Sequence, residues 1–386
     1  MVSTTFQSDG QFGSASDGAA AEAERLGPSR WVVNPLFDGL FVFGGLLWIL
    51  FGLQILVFHW DNPSVQAPGF AGHFAFFLVL AATLGGYLFS DAHTVATYMR
   101  IYANQQNRDR FKLYAYYLPW CSALLFYLCM TNPKAAGFCV YLHLMWVYQH
   151  YVGQTFGISL IYCYKRQYFF KPWERETYRW FMHSVSAVVI TRILCNREYT
   201  PYEYFGIKLP FYAVSPVFEA IAKTFFLFMV VAFVTVIVTK FVREKKLIPL
   251  PTLALIFSVM AIGWSTGYAN SVIWIYGPSF FHGSQYLAVS LGFYLKEKGL
   301  DAGRMGEVGG NMLREFFSSA ALRYWGIVIS AGIVIYVAIP QALEAYGYQF
   351  VMTATIIQAC VNFHHFVTDG AVWRLRDQKC RDILLA

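Results

Sequence analysis

Nine histidines are spread along this chain of 386 residues, and most fall inside long apolar runs. His93 lies in SDAHTVATYMR, His143 and His150 in HLMWVYQHYVGQTFG, His282 in PSFFHGSQY, and His364 and His365 in NFHHFVTDG. An ionisable side chain inside an apolar span is costly and points to function. Several of these histidines have a polar neighbour about one helical turn on: Thr97 after His93, Gln154 after His150, Gln285 and Tyr286 after His282, and Asp369 after His365. A metal-bound imidazole gives its second N–H to a carboxylate, carbonyl or amide, which fixes its tautomer and orientation. The set therefore predicts a metal site with His93, His150, His282, His364 and His365 as ligands. Gln154, Gln285 and Asp369 would orient them, and Tyr286 would supply a proton or hydrogen bond. His143 and His73 are weaker candidates, while His59 and His183 sit near the ends of apolar runs, where polar tips reach the interface. A lone histidine in a helix is more often a packing residue. Five in different runs, with acid and amide companions, point to chemistry.

Neutral imidazoles suit iron, copper and zinc, whereas thiolate clusters are needed for iron–sulfur centres. Three or four imidazoles with an open position would make an Fe(II) centre able to bind O₂. A bis-histidine haem needs only two and leaves the others unexplained, so iron is the expected cofactor and haem ranks behind it. The seven cysteines show no C-x-x-C pair and read as small buried hydrophobes.

The elements that must position these residues follow from composition. The chain is 57% hydrophobic and 13% charged, about half the charge of an ordinary soluble domain. Windows of about 19 residues give ten apolar spans, at 36–59, 70–99, 113–131, 136–164, 178–195, 215–240, 249–268, 279–297, 322–340 and 347–371. Lys and Arg alternate with them. Arg25 and Arg30; Arg100, Arg108, Arg110 and Lys112; Lys165, Arg166, Lys171, Arg175 and Arg179 fall on one side, as do the clusters at 240–246, 296–314 and 374–381. The intervening segments hold only Lys134, Arg197 and Lys208. Positive residues accumulate on the cytoplasmic side, so the expected fold is an all-α polytopic bundle with both termini inside, in a bacterial inner membrane. Residues 1–30 read as a disordered cytoplasmic tail, 31–376 as the helical domain and 377–386 as a short cytoplasmic tail. The basic residues serve topology, which argues against a nucleic-acid partner.

Axial position poses a difficulty. At ~1.5 Å per residue, His93 lies roughly 10 Å from Arg100 and His282 roughly 20 Å from Lys296. A single cluster requires tilted or broken helices; otherwise there are two sites. Among the remaining features, Asp38 in NPLFDGL reads as a helix cap, and Gly153 with Gly157 as a GxxxG packing face.

The stretches NPLFDGLFVFGG, SDAHTVATYMR, QHYVGQTFGISLIYCYK, FHGSQYLAVSLGFYLKEK and NFHHFVTDGAVWRLRD resemble a widespread, uncharacterised group of bacterial multi-pass membrane proteins. A looser similarity, in span number and scattered intramembrane histidines, is to the Brp/Blh-type β-carotene dioxygenases, which implies histidine-ligated iron. The H-x-x-x-H and H-x-x-H-H boxes of membrane desaturases are absent apart from His364-His365. The expected function is a metal-dependent membrane oxidoreductase or oxygenase of lipid metabolism. It would act on a fatty acyl chain, carotenoid or isoprenoid, with an electron-donor protein as a partner. A proton-coupled transporter and a b-type haem electron carrier are the alternatives.

Overall fold

A computed structural model of the chain describes residues 30–59, 64–265, 277–298 and 317–385. The expected N-terminal tail lies outside them but for Arg30. Each apolar window is helical over most of its described residues, apart from a break inside the first. In chain order the helices are α1 (Pro35–Val42), α2 (Gly45–Phe58) and α3 (Phe70–Tyr102). Next come the short α4 (Gln105–Arg110), then α5 (Leu113–Thr131), α6 (Pro133–Lys165), α7 (Pro172–Cys195) and α8 (Pro216–Glu244). After them run α9 (Leu250–Ser265), α10 (278–297), α11 (Ser319–Glu344), α12 (Phe350–Val372) and α13 (Gln378–Leu385). A single hairpin, Glu203–Tyr204 with Ile207–Lys208, is the sheet among the described residues.

Five of these helices, α3, α5, α8, α11 and α12, are long and apolar enough to cross a membrane, or six if bent α1–α2 counts as one. Their outer faces carry exposed Leu124, Leu227, Phe228 and Val231, surface that water would not tolerate over such an area. Helix α6 is less apolar for a specific reason. Its 33 residues include buried Tyr141, His143, Tyr148, Tyr151, Thr155, Ser159 and Tyr162, so its polar groups face protein. In α7 the charges are paired: Arg192 lies 3.7 Å from Glu219 and Glu174 lies 3.6 Å from Lys240, both on α8.

The first span is broken, bending by 55° between α1 and α2. Gly44 holds the break with φ +82°, a left-handed conformation that glycine adopts without penalty. The break frees carbonyls that apolar surroundings cannot satisfy. Ser284 Oγ donates to Phe41 O (2.9 Å), Gln285 Nε2 to Val42 O (2.7 Å) and Ser258 Oγ to Phe43 O (3.1 Å). Asp38 does not cap its own helix. Asn34 does, accepting from Phe37 N at 2.8 Å, while buried Asp38 accepts from Val32 N (2.7 Å), Val33 N (3.1 Å) and Tyr162 Oη (2.6 Å). It ties the segment before α1 to α6.

Two further irregularities matter more for function. Residues Gly86–Asp91 of α3 and Pro278–Gly283 at the start of α10 are π-helical, and the two segments pack against each other. Such wide turns occur mostly as single insertions and are frequent at functional sites. At the crossing a Cβ on Gly283 would lie 2.7 Å from Phe89 O and 2.9 Å from Phe89 C, so the two backbones touch.

Candidate metal centre

The crossing π segments deliver His93, just past the first, beside His282, inside the second, with ring centroids 4.8 Å apart. His365 from α12 stands 4.7 Å from His93, and His150 from α6 stands 4.8 Å from His365 and 4.9 Å from His282. The four rings form a closed square drawn from four helices. His93, His282 and His365 are buried, the last at 0% exposure, while His150 is partly buried and borders a cavity. One nitrogen each from His93, His282 and His365 lie within 4.8 Å of one another, and a second group of His150, His365 and Asp369 meets the same test. Ligands opposite each other on one ion stand about 4.2 Å apart, given metal–nitrogen bonds of about 2.1 Å. Three ligands round one ion stand closer, about 3.4–3.6 Å apart, so inward shifts of up to about 0.7 Å each would seat an ion.

The hydrogen bonds set the tautomers. His93 Nδ1–H donates to Ser90 O, leaving the Nε2 lone pair toward the cluster. His365 Nδ1–H donates to Thr97 Oγ1 at 2.8 Å; Thr97 in turn donates to Asp369 Oδ1 at 3.0 Å. Tyr286 Oη donates to the same carboxylate oxygen at 2.8 Å and accepts from Trp373 Nε1 at 2.8 Å. The other carboxylate oxygen lies 3.4 Å from His365 Nε2 and 3.7 Å from His150 Nε2. His93 Nε2, His150 Nε2, His365 Nε2 and both nitrogens of His282 are buried without a hydrogen bond. Tyr151 stacks on His282 (4.1 Å) and Phe366 on His150 (4.3 Å), fixing the ring planes.

The sequence-predicted residues thus fall into two sets. His93, His150, His282 and His365 come together with Tyr286 and Asp369. His364, one residue from His365 but on another helix face, donates from Nε2 to Tyr114 O (2.9 Å), lies against Tyr98 and belongs to neither group. The companions change partners. Thr97 serves His365 rather than His93. Gln154 donates to His282 O (3.0 Å) and Gln285 Oε1 (3.3 Å), and Gln285 holds Val42 of the broken span. Asp369 approaches through the ligand nitrogens and offers itself as a fifth donor. Outside the square, His143 stacks on Phe366, His183 meets Gln149 at 2.9 Å, and exposed His73 bonds Gly69 O. Trp373 and Tyr151 were invisible as site residues, because aromatics fill every span of this chain.

The axial difficulty dissolves for a physical reason. Helix α6 is 33 residues long, about 50 Å, against a hydrocarbon core of ~30 Å. Basic residues at helix ends therefore do not mark one plane, and counting from them misplaces the histidines relative to each other.

Beside the square opens a cavity of about 330 Å³, lined by His150, Tyr286 and Asp369 at its polar end and by Trp146, Ile158, Ile161, Val289 and Phe366 elsewhere. Gly153 and Gly157 form part of the wall, and a Cβ on either would meet nothing within 4 Å. They make room for the cavity and do not pack a neighbouring helix as GxxxG suggests. Helix α13, in the segment expected to be a free tail, closes one side with Leu384.

Searches against protein-family models, curated proteins and solved structures found no match to this chain.

Proposed function

We propose that this chain is a histidine-ligated, iron-dependent oxidoreductase of the bacterial inner membrane that acts on a lipid-soluble substrate. The observation that carries the reading is a set of four histidines that come together, each with a buried ring nitrogen that has no hydrogen bond. Leaving a buried polar group unsatisfied costs about 1–3 kcal/mol, so four of them, one per histidine, approach the net stability of an ordinary domain. A bound cation removes that cost at a stroke. Imidazoles with one carboxylate match iron, and also copper or zinc, better than hard-oxygen ions. Centroid spacings of 4.7–4.9 Å around the square leave no room for a porphyrin between the rings, which counts against the haem reading.

The cavity supports the substrate class. It is mostly apolar and ends on His150, Tyr286 and Asp369, so a long hydrocarbon would present one carbon beside the histidines. The metal would supply O₂ activation. The chain itself would orient the substrate, keep water out, and hold a proton at Tyr286 Oη, on the chain that runs to Asp369 and Thr97. Double-bond cleavage that takes up both atoms of O₂ balances without a reductant. Hydroxylation needs two electrons and two protons, and therefore a donor protein. The ten helical windows and alternating basic segments support ten crossings with both termini cytoplasmic.

The test is metal content and turnover of the full chain in lipid nanodiscs. After anaerobic Fe(II) loading, about one equivalent should remain, be lost in His365→Ala, and support O₂ uptake with a carotenoid or unsaturated acyl lipid. Retention below ~0.2 equivalents of any transition metal refutes the reading. Metal-independent proton flux in the same particles reconstituted as vesicles would favour the transporter instead, for which the Thr97–Asp369–Tyr286 chain would be the relay.

A further inference from the structure

A second cluster of metal-binding groups lies outside the histidine square. Cys129 in the last turn of α5, Cys139 in the second turn of α6 and Cys360 in α12 bring one sulfur each within 4.8 Å of the others. They are 3%, 4% and 3% exposed. The remaining cysteines bond elsewhere: Cys163 to Thr252, Cys195 to Ser215 O and Cys380 to Val372 O, while Cys121 is exposed. Used as small hydrophobes, three cysteines from three helices would have no reason to share one point.

We infer that Cys129, Cys139 and Cys360 form a binding site for a thiophilic d¹⁰ cation, with Cu(I) as the best match. Three sulfurs around an ion at metal–sulfur distances of about 2.3 Å stand about 4 Å apart, close to the spacing present. The donor set is all sulfur. The walls are Ala136, Val140, Ile207, Leu209, Ile356 and Ala359, and the thioether residues Met130 and Met352 pack against them. Soft thiolate and thioether donors select Cu(I), and zinc sites usually complete a tetrahedron with a fourth nitrogen, oxygen or thiolate. No such fourth donor joins the group among the described residues. Binding Cu⁺ to two thiolates and one thiol releases two protons and leaves a net charge of −1, a modest burden for an apolar pocket. Eleven residues of α6 separate Cys139 from His150, about 16 Å along the axis, so the two centres hold separate ions. This site stands whether or not the histidine square binds iron.

The experiment is an anaerobic Cu(I) titration of the full chain in nanodiscs against bicinchoninate, in the His365→Ala background to silence the other centre. One equivalent should bind, with X-ray absorption showing sulfur neighbours alone, and Cys360→Ser should weaken it at least 100-fold. Since a serine could disturb packing, the wild type should also develop a near-ultraviolet Cu(I)–thiolate absorption that saturates at one equivalent and is lost in Cys129→Ala as well. Affinity unchanged in Cys360→Ser, nitrogen or oxygen neighbours, tighter binding of Zn(II), or a disulfide within the trio in protein isolated without reductant would each overturn the assignment.

Discussion

The contact between the two π segments offers the most direct test of how the fold builds its centre. Gly283→Ala places a methyl 2.7 Å from Phe89 O and 2.9 Å from Phe89 C. Both are backbone atoms, so no side chain can rotate away. An ordinary carbon contact is roughly 3.5 Å, and the segments must part by about 0.8 Å. Ser90 O, the acceptor that orients His93, follows Phe89 in the chain, and His282 precedes Gly283. The separation therefore falls between two of the proposed ligands, where metal–nitrogen distances hold to about 0.2 Å. Overpacking of this kind costs about 1–3 kcal/mol in stability, so the bundle should survive. Metal affinity should drop ~10–100-fold, the range for displaced ligand supports. The assay is competition with a chromophoric chelator, alongside thermal unfolding in nanodiscs. Gly86→Ala, where a Cβ meets nothing within 4 Å, is the matched control and should bind as wild type. If Gly283→Ala holds metal within twofold of wild type, the juxtaposed π segments do not set the ligand geometry.

Three further outcomes are expected. Asp369→Asn keeps the shape but removes the charge beside His150 and His365 and should lower divalent-metal affinity by ~10–100-fold, measured by the same competition. Gly157→Leu should fill the cavity without disturbing the histidines; quenching of Trp146 and Trp373 fluorescence by a polyene such as retinal should weaken severalfold while metal content stays unchanged. At the surface, Arg110 holds the Asp377 carboxyl below its ordinary range. Because that pKa is depressed in the folded state, its contribution is present above about pH 4 and is lost as pH falls further. The pair is exposed, so Asp377→Asn should cost only about 0.2–1 kcal/mol at pH 7 and flatten the acid side of a thermal-stability profile.

Much of this arrangement was legible in the sequence. Hydropathy located every long helix, because a long apolar run has few alternatives to helix in lipid or in a core, but it missed the short polar α4 and α13. Histidine type and number marked His93, His150, His282 and His365. What periodicity could not show was which helix each companion would serve. An i,i+4 neighbour lies on the same face as its histidine, and the same face meets other helices, so Thr97 turned to His365 and Gln154 to His282. His364 and His365 are chemically identical, and only the rotation of α12 separates them. The cysteine trio left no local signal, since its members come from helices 10 and 221 residues apart in sequence. Gly153 and Gly157 obeyed a packing pattern while leaving space instead, a difference that resides in the neighbour and not in the glycines.

The π turns carry a consequence for how such a chain can vary. A wide turn accommodates one residue beyond the regular helical count, so each records something like a one-codon insertion in an ordinary helix. Removing one residue between Gly86 and Asp91 would restore a regular α3 and rotate everything after it by about 100°. His93 would leave the square, and Thr97 would leave His365. Substitutions around the centre can be absorbed one side chain at a time, but a single in-frame deletion there would dismantle it while leaving a plausible membrane helix. Tolerance to change along this chain should thus be read by length as well as by residue type: the irregular turns should be the places where sequence length is held fixed.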